Sequence, residues 1–180
     1  MNATWGDNGP HDWKIAAEKV GNRILDKNPD WLIVVGGLNY QLDFTKIKDK
    51  HVKLNVPNKL VYTGHFYGFS WGPSLIWSIY SEEWFREKIF NEQLFIRAEG
   101  YPYLLGEFGC NERDIPWKYL MRLMKELDLD WTYWCMDGYK CDQQEDETFG
   151  MWDYDFSKPR HPDMLEDLKK IGRPQARIRR

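Results

Sequence analysis

Apolar residues along this chain fall in blocks that switch between two periods. From Asp12 to Lys27, Trp13, Ala16, Ala17, Val20, Ile24 and Leu25 recur at helical spacing, and Asn28-Pro29 stops the run. Trp31-Leu32-Ile33-Val34-Val35 follows as a continuous apolar run, the pattern of a strand buried on both faces, closed by Gly36-Gly37. Leu60-Val61-Tyr62-Thr63 predicts a second strand running into Gly64-His65-Phe66-Tyr67-Gly68. Ser81 caps a predicted helix from Glu82 to about Arg97, with Trp84, Phe85, Ile89 and Leu94 on its apolar face. A third strand is predicted over 101–105, ending in Gly106-Glu107-Phe108-Gly109, and a further amphipathic helix over 116–127. The Trp-Thr-Tyr-Trp run of 130–135 predicts a fourth strand, and a last helix runs from Pro162 to Ile171.

Strands that alternate with helices predict parallel βα units, because a parallel pair needs a crossover long enough to hold a covering helix. In such architectures functional groups collect at the carboxyl ends of the strands. Those ends carry His65 and Tyr67, Glu107, and Trp134, so an imidazole, a phenol, a carboxylate and an indole are expected on one face. Trp71, in the loop after the second strand, is a candidate to extend the same cleft, with packing of the loop as the other reading.

Composition narrows the partner. The 180 residues are 42% apolar and 29% charged, which is a globular composition, and no window approaches the roughly 20 consecutive apolar residues of a membrane helix. Formal net charge is −3 and the basic excess is confined to residues 173–180, a balance that does not point to nucleic acid. Aromatics reach 16%, with ten Trp and ten Tyr. Flat amphipathic rings in that number suit stacking on sugars, so carbohydrate is the expected partner. Cys110, Cys135 and Cys141 lack CxxC spacing, and His11, His51 and His161 lack ligand spacing, so no metal or cofactor is expected. A Cys135–Cys141 bridge is open, depending on compartment. Met1 to His11 shows no signal-peptide pattern, and Asn2-Ala3-Thr4 fits a glycosylation triplet. Asp137 and the acidic run 142–147 read as solvated loop charge, and nothing near Cys110 marks it as a nucleophile.

Four segments in order carry a resemblance. Asn28-Pro29-Asp30-Trp31-Leu32-Ile33-Val34-Val35-Gly36-Gly37, Leu60-Val61-Tyr62-Thr63-Gly64-His65-Phe66-Tyr67, Leu105-Gly106-Glu107-Phe108-Gly109 and Trp131-Thr132-Tyr133-Trp134 resemble the second half of glycoside hydrolase family 5, the cellulase family. The resemblance spans roughly residues 4–172, leaving 173–180 as a basic tail. It implies an incomplete, half (β/α)₈ barrel with four parallel strands and covering helices, and retaining hydrolysis of a β-linked glucan, mannan or glucoside. It implies further that Glu107 is the nucleophile, that His65 and Tyr67 orient it and contact the sugar, and that Trp134 is the stacking platform. Family members are expected to act outside the cell.

The match departs from the family at the acid/base position, and in lacking the Arg and His that the family supplies from early strands. Retaining glycosidases use two carboxyl groups about 5–5.5 Å apart, and the family's acid/base is the Glu of an Asn-Glu pair upstream of the position that Ala3-Thr4-Trp5-Gly6 occupies here. Asn91-Glu92 and Asn111-Glu112 do not follow a strand at that place. The expectation is therefore a chain with the nucleophile half of the site, alternatively a carbohydrate-binding remnant or a gene fragment.

Overall fold

A computed structural model describes residues 3–140 and 145–172. Asn2, Cys141 and the basic segment 173–180 lie outside the described residues, and with them the glycosylation triplet, the Cys135–Cys141 bridge and the tail. The described residues form two compact units.

The first unit, residues 3–66, 81–107 and 130–132, contains the sheet. Its strands are β1 (Ile33–Gly36), β2 (Leu60–Phe66), β3 (Tyr103–Phe108) and β4 (Asp130–Trp131), in that spatial order and parallel. Ile33 lies opposite Leu60 and Gly36 opposite Thr63, while Leu104 and Leu105 lie opposite Asp130 and Trp131. Preceding the sheet, α1 (Trp13–Leu25) starts where the predicted helix does. The Asp12 carboxylate caps it by accepting from Ile15 N–H at 3.2 Å, and also takes Gly6 N–H at 2.9 Å and Asn8 N–H at 2.8 Å. Burial works against ionisation of Asp12, but these backbone donors outweigh it and hold the carboxyl below the usual carboxylate range.

Two strand expectations change in detail. Ile33 and Val35 are buried, but Val34 is 51% exposed and Trp31 and Leu32 are exposed before it. The apolar run is therefore not buried on both faces, because β1 is an edge strand paired with β2 alone among the described strands. The fourth strand is regular for only two residues, with Thr132 N–H still reaching Leu105 O at 2.9 Å. The strand around Glu107, in contrast, runs further than expected and carries Glu107 within it.

A single helix over 82–97 is also corrected. α3 (Glu82–Ile89), capped by Ser81, passes into a π-helical turn, Phe90–Leu94, and resumes as the short α4 (Phe95–Ala98). Between β1 and β2 sits a one-turn element, α2 (Leu38–Gln41), whose Asn39, Tyr40 and Gln41 all have left-handed φ of 50°, 58° and 65°. Phe44, Ile47, Tyr62, Phe85, Ile89, Ile96 and Leu105 form the core of this unit.

The second unit comprises residues 67–80, 108–129, 133–140 and 145–172. Asp114 caps α5 (Ile115–Leu127), accepting from Trp117 N–H at 2.9 Å, and Pro116 occupies the first turn, where its missing N–H costs nothing. Asp167 on α6 (Pro162–Ile171) is tied to α5 by Trp117 Nε1–H at 3.1 Å and to Arg113 by two hydrogen bonds. β5 (Tyr139–Lys140) and β6 (Glu145–Asp146) form an antiparallel hairpin. The acidic run is not wholly solvated: Glu147 is buried and accepts from Phe149 N–H at 3.1 Å, and Asp146 pairs with Arg160 at 2.7 Å.

Candidate active site

β2 alternates along its length. Leu60, Tyr62, Gly64 and Phe66 are buried, and Val61, Thr63 and His65 are half-buried on the opposite face. On β3 the alternation breaks at Glu107, which is half-buried where a period of two puts a core residue. The two side chains meet at the carboxyl ends of these neighbouring strands, with His65 Nδ1 3.3 Å from Glu107 Oε2. The Glu107 side chain keeps 33% of its surface exposed and His65 only 12%, so the carboxylate is reachable from solvent and the ring is held behind it.

Burial pushes the His65 imidazole down from its ordinary value, while the Glu107 charge pulls it up, and burial prevails. The ring is therefore neutral at neutral pH. Its Nδ1 stands close enough to the carboxylate for the two groups to interact electrostatically.

His65 is itself fixed from behind by Gln93, which the sequence pattern did not single out. Gln93 is fully buried in the π-helical turn. Its Nε2 donates to His65 O at 2.9 Å and Leu42 O at 3.2 Å, and its Oε1 accepts from Tyr103 O–H at 2.5 Å. A Cβ at Gly64 would overlap both Gln93 Oε1 and the Tyr103 hydroxyl, so glycine is required there for the network to close. The available signal was a lone amide on an otherwise apolar helix face, and π-turns often occur where a helix must re-aim one side chain.

The other expected site residues belong to the second unit. Tyr67 follows β2 directly and is half-buried, its ring stacked with Phe69 at 5.3 Å and Phe149 at 6.0 Å. Trp134 is 45% exposed, and its N–H donates to Phe108 O at 2.9 Å. The peptide bond that follows it, to Cys135, is cis. Trp71 stacks on the buried Trp77 with centroids 6.1 Å apart. Cys110 donates to Glu112 O at 2.9 Å, and burial, with the Asp114 charge adding to it, pushes the thiol up to about 12. Among the described residues no group of three His, Cys, Asp or Glu side chains is placed to hold a metal ion. His51 instead pairs with Glu99 at 3.0 Å and stacks on Tyr101.

A parallel sheet with crossover helices and a carboxylate–imidazole pair at the carboxyl ends of adjacent strands defines a βα-barrel type of protein. The chain belongs to the cellulase family, glycosyl hydrolase family 5, whose description matches residues 1–140. A glycosyl hydrolase 5 family protein of Chamaecyparis obtusa is 31% identical over 92% of this chain and 33% of its own length. An endoglucanase of Paenibacillus polymyxa is 31% identical over 75% of this chain and 39% of its own. The structure is similar to that of the Pyrococcus horikoshii endocellulase solved in complex with cellotetraose, with a TM-score of 0.79 and 28% identity, over 94% of this chain and 51% of that one. The chain thus spans about a third to two-fifths of those relatives and half of that structure, and its fold is an incomplete, half (β/α)₈ barrel with four parallel strands.

Proposed function

We propose that this chain carries the nucleophile side of a retaining hydrolase of β-linked glucans. The observation that supports this most directly is Glu107 within 3.3 Å of His65 at the ends of adjacent parallel strands. In the first step a Glu107 oxygen attacks the anomeric carbon. The bond from that carbon to the leaving oxygen breaks, a proton from an acid goes to the leaving oxygen, and a glycosyl ester of Glu107 forms. In the second step water attacks the same carbon, gives its proton to the same group acting as base, and releases Glu107.

The neutral His65 ring orients the carboxylate, Tyr67 contacts carboxylate and sugar, Trp134 stacks on the sugar ring, and Trp71 extends the cleft. The acid/base role falls to a carboxyl group upstream of Ala3 in the family pattern. Glucan as the substrate class is supported by the endoglucanase relative and by the cellotetraose complex of the structural neighbour.

A dinitrophenyl β-cellobioside tests it, because its leaving group departs as a stable phenolate and needs no proton. The 180-residue chain is expected to release a burst of phenolate that Glu107→Gln abolishes, and to leave unactivated β-glucan intact. General acid catalysis contributes about 10²–10⁴-fold, which is the deficit expected on the unactivated substrate. A burst that survives Glu107→Gln overturns the assignment of the nucleophile. Rapid turnover of ordinary glucan overturns the assignment of the acid to a segment upstream of Ala3.

A further inference from the structure

A groove between α5 and α6, both in the second unit, concentrates positive charge. It measures about 200 Å³, and Arg113, Lys118, Arg122, Lys125 and Lys170 line it together with the carboxylate of Asp167. Five cations against one anion stand here in a chain whose formal net charge is −3. The stripe is written into the sequence of α5. Trp117, Leu120, Met121, Leu123 and Met124 take the buried face of that helix. Lys118, Arg122 and Lys125 recur at i, i+4 and i+7, which puts these exposed side chains on a single stripe of the other face. At 1.5 Å of rise per residue, Lys118 and Lys125 are about 10 Å apart along the helix axis. Like charges at this spacing repel and work against the helix, so packing of the buried face holds the stripe in place.

Asp167 does not offset the stripe. Its carboxylate already accepts from Trp117 Nε1, from Arg113 Nε and Nη2 and from Lys170 Nζ. Lys118, Arg122 and Lys125 take no part in those bonds, and the Arg122 guanidinium lies over the Tyr119 ring, 5.3 Å from its centroid. Asp114, which caps α5, and Glu126, one turn on from Arg122, are the acids of the same helix, and neither lines the groove.

From these features we infer that the α5–α6 groove binds an acidic polysaccharide, a sugar chain that bears carboxylates. The inference goes beyond the proposed function, since nothing in it depends on Glu107. Carboxylates supply the missing counter-charge, accepting from the guanidinium of Arg122 as a fork and from the lysines as point charges. A chain extended along α5 presents them one after another to Lys118, Arg122 and Lys125. Met121 and Ile171 add apolar surface for the C–H face of a sugar ring. No aromatic ring lines the groove, so it offers no platform for nucleic-acid bases or for a neutral glucan. Its volume admits a sugar ring and excludes a nucleic-acid duplex. The negative net charge of the whole chain opposes an anionic bilayer, which attracts segments rich in basic residues.

The test is calorimetric titration of the purified chain with polygalacturonate and with its methyl ester, which keeps the sugar chain and removes its charge. The wild type is expected to bind the acid form, less tightly as salt is added, and to leave the ester unbound. Lys118→Gln/Arg122→Gln/Lys125→Gln is expected to weaken binding roughly tenfold. Lys19→Gln/Lys27→Gln/Lys48→Gln removes the same charge from exposed positions of the first unit and is expected to change affinity by less than about twofold. The groove positions are exposed, so the triple variant keeps its circular-dichroism spectrum and melting midpoint. Lys118→Gln/Lys125→Gln, which spares the contact of Arg122 with Tyr119, decides the matter if the triple variant folds poorly. Wild-type affinity in the groove variants assigns binding elsewhere, the basic segment 173–180 included, and overturns the groove. An equal loss in the first-unit variant reduces the effect to net charge and overturns it as well. Duplex DNA or phosphatidylglycerol vesicles bound as tightly as polygalacturonate overturn the assignment to a polysaccharide, as does a wild type that binds no polygalacturonate. The burst on the activated cellobioside reads the proposed function separately.

Discussion

Replacing Gln93 by Leu removes one side chain and strands three polar groups. The hydroxyl of Tyr103 loses its acceptor, and the carbonyls of His65 and Leu42 lose their donor. Gln93 and Tyr103 are both buried, so water does not replace the lost partners without opening the core. A buried polar group left unsatisfied costs about 1–3 kcal/mol, so three of them, partly relieved by the better burial of Leu, sum to roughly 3–6 kcal/mol. Against the roughly 5–15 kcal/mol that separates folded from unfolded domains, that is a large share. The assay is urea denaturation followed by tryptophan fluorescence and far-ultraviolet circular dichroism. The double variant Gln93→Leu/Tyr103→Phe removes one of the stranded groups, and it is expected to recover about 1–3 kcal/mol relative to Gln93→Leu alone. A Gln93→Leu variant within about 1 kcal/mol of wild type, or a double variant no more stable than the single, would refute the reasoning. The same substitution releases the backbone of His65, so the burst on the activated cellobioside is expected to slow even where the protein remains folded.

Two further outcomes follow from the titrating groups. Folding depresses His65 below its ordinary value, so the native state binds fewer protons than the unfolded chain, and stability falls as pH drops through the ordinary histidine range towards the lowered one. Melting midpoints are expected to decline more between about pH 7.5 and about pH 5.5 in wild type than in His65→Gln, and equal slopes would remove His65 as the cause. Cys110, with its thiol pushed up to about 12, holds about a thousandfold less thiolate at about pH 8 than an ordinary cysteine. Peptide mass mapping after iodoacetamide is expected to find Cys110 unmodified under conditions that alkylate an unfolded control, and rapid labelling would contradict its burial.

The periodicities of this sequence determined the parallel βα order, since helices stand between the second and third and between the third and fourth apolar strand segments, and the stretch between the first and second is long enough for a crossover. They also put His65 and Glu107 at strand ends, because Gly64 and the Gly106 to Gly109 segment punctuate the chain there, and order in the chain carries straight into order in a parallel sheet. What the sequence could not supply was the burial of each face. The Trp31–Val35 run reads as a doubly buried strand, and only the structure shows β1 paired with β2 alone among the described strands, with Val34 open to solvent. Nor does any pattern within 82–97 announce a π-turn, since the extra residue is accommodated only because Gln93 finds partners from Leu42, His65 and Tyr103. The left-handed turn at Asn39, Tyr40 and Gln41 is equally invisible, because none of the three is glycine and the conformation is imposed by hydrogen bonds that close through Leu38 and Asp43. Local periodicity depends on neighbours in the chain, whereas burial, the π-turn and the strained turn depend on partners distant in sequence, and those are fixed only when the tertiary structure brings them together.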